Sequence, residues 1–159
     1  MKQVVGVPGM AVSNDPDDVL ITYALGSCLG ITAHDPVARV GGLLHVMLPT
    51  SAVAPEKAEA TPWMFVDTGV PRLFDECCRA GAQKGRLVVK VAGGAASQTE
   101  GEDHFQIGRR NFLALRQLLW RESVLLRAHD VGGNQSRTMA LEIGTGLVTL
   151  KVDGRTFEL

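Results

Sequence analysis

Short apolar runs alternate with turn-forming residues along most of the chain. The runs are rich in Val, Ile and Leu, and they are bounded by Gly, Pro, Asp and Asn. Runs of this length and composition predict β-strands. The predicted strands cover residues 1–7, 10–13, 19–25, 29–33, 40–48, 86–92, 125–131, 137–143 and 147–152.

Two longer segments carry apolar residues at helical spacing. The first begins with Thr61, which suits an N-cap, and Pro62, which suits the first helical position. Pro71 lies inside this segment and predicts a kink or a split. The second predicted helix covers residues 107–124 and follows a polar loop over residues 97–106. This order of elements predicts one α+β domain over residues 1–159, with mainly antiparallel sheets packed against two principal helices.

Composition and charge exclude several classes of protein. The chain has 159 residues, a net charge of −1 and only 5% aromatic residues, which argues against a nucleic-acid-binding surface. It lacks a basic and apolar leader, and it lacks an apolar run near about 18 residues, so we expect no direct membrane insertion. Its three cysteines lack metal-ligand spacing. We therefore expect a cytoplasmic protein without a metal or another cofactor.

A cysteine and a histidine stand on two strands that the pattern predicts to form a hairpin. Asp35 and Pro36 lie between the strands and are typical of a type I turn. If this turn joins the strands directly, Cys28 pairs with His45, with Cβ atoms about 4.5–5.5 Å apart. His45 would then act as the base for the thiol or stabilise a thiolate as an ion pair. A register shift of one residue would place the two side chains on opposite faces, and a free cysteine often only packs.

The residues before the cysteine offer the other groups that a nucleophilic site needs. Gly26 and Ser27 precede Cys28, and their backbone N–H groups are candidates for stabilising an oxyanion. A third group usually orients the base, and the hydroxyl candidates are Thr22 and Ser27. Thr22 lies six residues before the cysteine, so it can contribute only if the chain folds back near residues 25–26.

Several motifs together resemble one known family. The chain has T-x-x-L-G-S-C from Thr22 to Cys28, and G-G-x-x-H-x-M-L-P around His45. Further matches are KVAGGA at residues 90–95, IGRRN at 107–111, DVGGNQSR at 130–137 and TGLV at 145–148. This set resembles CheD, the chemoreceptor glutamine deamidase family of chemotaxis.

The resemblance implies a layered CheD-like domain and a specific chemistry. The catalytic Cys, His and Thr of the family fall on Cys28, His45 and Thr22. The implied activity is that of a cysteine-dependent protein-glutamine glutaminase, which releases ammonia and leaves glutamate on methyl-accepting chemotaxis receptors. A CheC-type phosphatase is a further partner that the resemblance implies.

Two other interpretations of the sequence stay open. A binding module would act as a chemotaxis adaptor without deamidation. Arg109 and Arg110 lie on a basic helix face, which either is simply solvated or contacts an acidic partner. The second alternative makes these two arginines candidate partner contacts. A metal protein would use Cys28 and His45, but further ligands at recognisable spacing are missing from the sequence. His104, beside carboxylates, is better explained as an exposed side chain than as a ligand.

Overall fold

A computed structural model describes the backbone of residues 1–96 and 102–159. The described strands are β1 (Lys2–Val4), β2 (Gly9–Ser13), β3 (Val19–Leu25), β4 (Leu29–Asp35), β5 (Val40–Val46), β6 (Val88–Gly93), β7 (Leu126–Val131), β8 (Arg137–Glu142), β9 (Val148–Val152) and β10 (Arg155–Glu158). The described helices are α1 (Pro55–Ala60), α2 (Val66–Arg79) and α3 (Glu102–Arg121), with short 3₁₀ turns at Ser51–Val53, Pro62–Met64 and Lys84–Arg86.

The strands form two five-stranded sheets. The first sheet has the order β1-β3-β8-β9-β10, and the second has the order β2-β5-β4-β6-β7. Among the strand pairs of these two sheets, β1–β3 and β6–β7 are parallel and the others are antiparallel. The predicted α+β class with mainly antiparallel sheets is therefore confirmed.

The second sheet is the middle layer of the fold. One of its faces contributes Leu43 and Ala92 to an apolar cluster with the first sheet, which supplies Leu20, Met139 and Leu141. The other face packs against α2 and α3 through a second apolar cluster. Because both faces are covered, every residue of β4 and β5 is buried, including the polar ones.

The hairpin of β4 and β5 has a different register from the predicted one. Gly30, and not Cys28, pairs with His45. The prediction assumed a tight turn, but Asp35 pairs with Val40, so residues 36–39 form a longer loop. Arg39 adopts a positive φ of 55° there, and its N–H donates to the Asp35 carbonyl. The shift is two residues, and side chains alternate with a period of two, so the predicted face of each side chain is unchanged.

The first predicted helix differs from the observed one at its start. Phe65 is extended and forms a β-bridge with Leu48, so only a 3₁₀ turn follows Thr61 and α2 begins at Val66. The helix then runs through Pro71 to Arg79 without a break, so the predicted split is wrong. The helix tolerates the loss of one backbone hydrogen bond because its buried face packs on the second sheet.

The second predicted helix begins earlier than the apolar pattern indicated. Helix α3 starts at Glu102, so the predicted loop is wrong for residues 102–106. The rest of that loop, at residues 97–101, lies outside the described residues, and so does the side chain of His104. Gly108 lies within α3 and lets the helix approach the Gly94 carbonyl, because an added Cβ would lie 2.6 Å from that oxygen.

Candidate active site

A hydrogen bond between the two sheets joins two of the predicted site residues. Thr22 on β3 and His45 on β5 are both fully buried, and the Thr22 Oγ1 lies 2.7 Å from the His45 Nδ1. The Thr22 hydroxyl also donates to the Val5 carbonyl over 2.9 Å. A hydroxyl has one proton, so the bond to His45 must have Nδ1–H as its donor. This arrangement leaves the lone pair on His45 Nε2, which has no hydrogen-bond partner within the described part of the chain.

Glycines flank His45 on both neighbouring strands, and one of them allows close contact between the two sheets. The cross-strand neighbours of His45 are Gly9 on β2 and Gly30 on β4. A Cβ on Gly30 would lie 2.8 Å from the Met139 Sδ and 2.9 Å from a Leu25 methyl group. A larger residue at position 30 would therefore force the Met139 and Leu25 side chains to move. Burial in this apolar space lowers the pKa of His45 to about 4, so its imidazole is neutral near pH 7.

A bulge in β3 turns the chain back toward this space. Thr22 pairs with Met139 and Leu25 pairs with Arg137, so two residues of β3 lie opposite one residue of β8. Ala24 has a positive φ of 60°, and the Gly26 N–H donates to the Ala24 carbonyl over 3.0 Å. The backbone therefore turns at residues 24–26, between Thr22 and Cys28.

Cys28 lies directly before β4 and packs against the apolar cluster between the sheets. Its side chain is half-buried, and this burial raises the pKa of the thiol, with a partial opposing effect from its own backbone N–H. Cys28 and His45 are therefore a neutral thiol and a neutral imidazole near pH 7. Of the two roles that the sequence left open for His45, this favours the base over the ion-pair partner.

The backbone around Cys28 is fixed through its carbonyl groups. The Gly94 N–H donates to the Cys28 carbonyl over 2.9 Å, and the Ala95 N–H donates to the Gly26 carbonyl over 2.8 Å. Gly93 has a φ of +114°, and an added Cβ there would overlap the Cys28 carbonyl oxygen.

The N–H groups of this segment differ in availability. The Gly26 N–H already donates to the Ala24 carbonyl over 3.0 Å. The N–H groups of Ser27 and Cys28 donate to no carbonyl among the residues described. These two groups are therefore candidates for binding an oxyanion.

A residue without a predicted role also contacts the site. Asn111 on α3 is fully buried, and its Nδ2 donates to the Ser27 carbonyl over 3.0 Å and to the Met47 carbonyl over 3.1 Å. The sequence signal was an Asn inside the buried stripe of α3, one turn before Leu115. Arg109 and Arg110, in contrast, are exposed and have no described contact with Cys28 or His45.

The other cysteines differ from Cys28 in environment. Cys77 is fully buried in α2, and burial raises the pKa of its thiol to about 12. Cys78 is exposed. Within the residues described, no group of three or more His, Cys, Asp or Glu side chains could hold a metal ion. Helices in that part of the chain also lack the length and apolarity needed to cross a membrane.

The fold and the site define a two-sheet α+β protein with a hydrogen-bonded Thr–His pair between the sheets and a cysteine at the edge of that space. Such a site can support nucleophilic chemistry by a thiol. The sequence profile described as CheD chemotactic sensory transduction matches residues 47–152. The chain belongs to the CheD family, as the motifs indicated.

Individual relatives extend the match over nearly the whole chain. The probable chemoreceptor glutamine deamidase CheD of Solibacter usitatus is 47% identical over 156 residues, which is 98% of this chain and 92% of the relative. The probable chemoreceptor glutamine deamidase CheD 1 of Syntrophus aciditrophicus is 47% identical over 151 residues, 95% of this chain and 94% of its own. The chemoreceptor glutamine deamidase CheD of Thermotoga maritima is 40% identical over 156 residues, 97% of this chain and 94% of its own.

Proposed function

We propose that this protein is a cysteine-dependent protein-glutamine deamidase that acts on methyl-accepting chemotaxis receptors in the cytoplasm. The names of its relatives support the substrate class. The observation that carries the mechanism is the Thr22–His45 hydrogen bond, because it leaves the Nε2 lone pair as the proton acceptor. Cys28 is the proposed nucleophile, His45 the general base and acid, and Thr22 the residue that orients His45.

The first half of the reaction forms a thioester. As the Cys28 Sγ attacks the glutamine side-chain carbonyl carbon, His45 Nε2 takes the thiol proton. Transfer before attack is unfavourable, because burial raises the pKa of the thiol and lowers that of the imidazole. Proton transfer is therefore concerted with formation of the C–S bond. The N–H groups of Ser27 and Cys28 stabilise the oxyanion, and His45 then protonates the departing nitrogen so that ammonia leaves.

The second half releases the product. His45 Nε2 takes a proton from water as the water oxygen attacks the thioester carbonyl. The C–S bond then breaks, the thiolate recovers a proton from His45, and the product is a glutamate side chain. The low pKa of His45 makes the imidazolium short-lived, which favours rapid return of the proton at each step. The new carboxylate adds negative charge to the receptor.

Deamidation of a receptor fragment tests this proposal directly. Purified protein, with a chelator and without nucleotide, should release ammonia, and mass spectrometry should locate each new glutamate. Free glutamine should be a poor substrate, because remote binding energy positions the carboxamide. Cys28→Ala should abolish activity with native circular dichroism, whereas Cys78→Ala, at an exposed thiol on α2, should keep it. If wild-type and Cys28→Ala protein both bind the receptor and are equally inactive, the protein is an adaptor and not a deamidase.

Arg109 and Arg110 are the proposed contacts for a receptor or a CheC-type phosphatase. Both are exposed on α3, and Arg109 lines a surface groove with Gly94 and Gly132, next to the segment that holds Cys28. Charge reversal of both residues should weaken binding of an acidic partner surface, measured by calorimetry. Reversal of Lys151, an exposed cation on β9, is the control and should leave binding unchanged. If the wild-type protein, the double arginine variant and the Lys151 variant bind equally well, the two arginines are not partner contacts.

A further inference from the structure

We infer that Asn111 is a positioning residue for the reaction. Through one amide nitrogen it fixes the distance between the backbone segment that carries Cys28 and the end of the strand that carries His45. This inference rests on the proposed function for its kinetic test, but its geometric basis is independent of the substrate.

The two carbonyls that Asn111 contacts belong to the two halves of the site. Ser27 is the residue before Cys28, and its carbonyl belongs to the same peptide unit as the Cys28 N–H. Met47 comes two residues after His45, directly after the last residue of β5. The Asn111 Nδ2 donates to both carbonyls, over 3.0 and 3.1 Å. A change at Asn111 is therefore transmitted to the peptide that holds the proposed oxyanion donor and to the strand that holds the base.

The NH₂ group of the side chain fits this bridge. Both neighbours are carbonyl acceptors, so the amide must present its NH₂ group to them, and one carboxamide nitrogen has two protons to donate. A carboxylate at this position would repel both carbonyls, and a leucine would leave both without this donor. Asn is also a poor helix former, so its place in the buried stripe of α3 is not explained by helix propensity.

The register of the hairpin leaves a gap that this bridge spans. Cys28 lies outside β4, and the ladder between β4 and β5 ends with Leu29 opposite Val46. Backbone pairing within the hairpin therefore stops just before the cysteine. Beyond that point, the Asn111 amide is the described side chain that joins the two chain segments.

Steady-state kinetics with a receptor fragment test the inference against a structural control. Asn111→Leu should lower kcat between about 10- and 100-fold, with KM changed less than about threefold, because a displaced nucleophile slows chemistry more than binding. Leu115→Ala removes an equally buried side chain one turn further along α3, and it should lower the melting temperature while kcat stays near wild type. Asn111→Gln, which retains the NH₂ group, should recover part of kcat.

Alkylation of Cys28 provides a readout that needs no glutamine substrate. In a Cys78→Ser background, the pH profile of iodoacetamide labelling at Cys28 should change in Asn111→Leu and should stay as wild type in Leu115→Ala. If deamidation is absent in wild type but this change occurs, the proposed function fails and the positioning role stands. If both kcat and the labelling profile are unaffected, or change no more than in Leu115→Ala, the positioning role is wrong. Should Asn111→Leu not fold, Asn111→Ala, which only removes atoms, is judged by the same two criteria.

Discussion

Replacing Thr22 by Val tests the central hydrogen bond of the site. Val has nearly the shape of Thr, so the space between the sheets stays filled and water is excluded. The change removes the acceptor for His45 Nδ1–H and the donor to the Val5 carbonyl. Each buried group left without a partner costs about 1–3 kcal/mol of folding free energy. Two groups lose their partner, so the free energy of unfolding should fall by about 2–6 kcal/mol, measured by urea denaturation.

The effect on catalysis has a separate origin. Without Thr22, nothing described in the structure holds His45 in the tautomer with the lone pair on Nε2. If loss of this hydrogen bond removes about 1–3 kcal/mol of transition-state stabilisation, kcat should fall roughly 5- to 150-fold. The conversion is about 1.4 kcal/mol for each tenfold change in rate. The assay is ammonia release from a receptor fragment at saturating substrate.

Two control variants separate the hydroxyl from the packing. Thr22→Ser retains the hydroxyl and should keep most of kcat. Thr32→Val replaces another buried threonine, on β4 of the second sheet, whose Oγ1 has only a 3.5 Å contact with the Lys90 carbonyl. This change should leave kcat near wild type. If Thr22→Val retains wild-type kcat while Ser27→Ala loses it, Ser27 and not Thr22 orients the base.

Three further perturbations follow from the same geometry. His45→Asn should lower kcat on the order of 10²- to 10⁴-fold. It should also flatten the dependence of stability on pH. The pKa of His45 is about 4 in the folded protein and 6.5 in the unfolded chain, so the wild-type protein loses stability as pH falls from about 6.5 to 4, by about 2 kcal/mol at pH 5. Urea denaturation at several pH values measures this loss, and an equal slope in both proteins would contradict the prediction. Gly93→Ala should reduce both expression as folded protein and activity far more than Gly132→Ala, because both glycines have positive φ but only position 93 would overlap a backbone oxygen. Cys28→Ala should still bind a receptor fragment in calorimetry, and a collapse of affinity would show that binding depends on the thiol itself.

Local patterns in the sequence were sufficient for much of the fold. Apolar runs between turn residues predicted nine of the strands near their observed places, because strand formation depends on short-range alternation and on Gly and Pro. The same alternation placed Cys28 and His45 on one face, even though the predicted pairing was two residues out. The motifs from Thr22 to Val148 also identified the CheD family. Helix ends were less predictable, since the start of α2 depends on a bridge between Phe65 and Leu48.

Only the tertiary structure decided how the site is assembled and what state its groups are in. The contact between Thr22 and His45 joins different sheets, and the contacts of Asn111 join a helix to two distant loops, so no local pattern encodes either distance. The length of the loop at residues 36–39 depends on the hydrogen bond from the Arg39 N–H to the Asp35 carbonyl, which the positive φ of Arg39 permits. The neutral forms of Cys28 and His45 follow from burial between layers. Burial is a property of the packed chain, and it sets both pKa values through the loss of water.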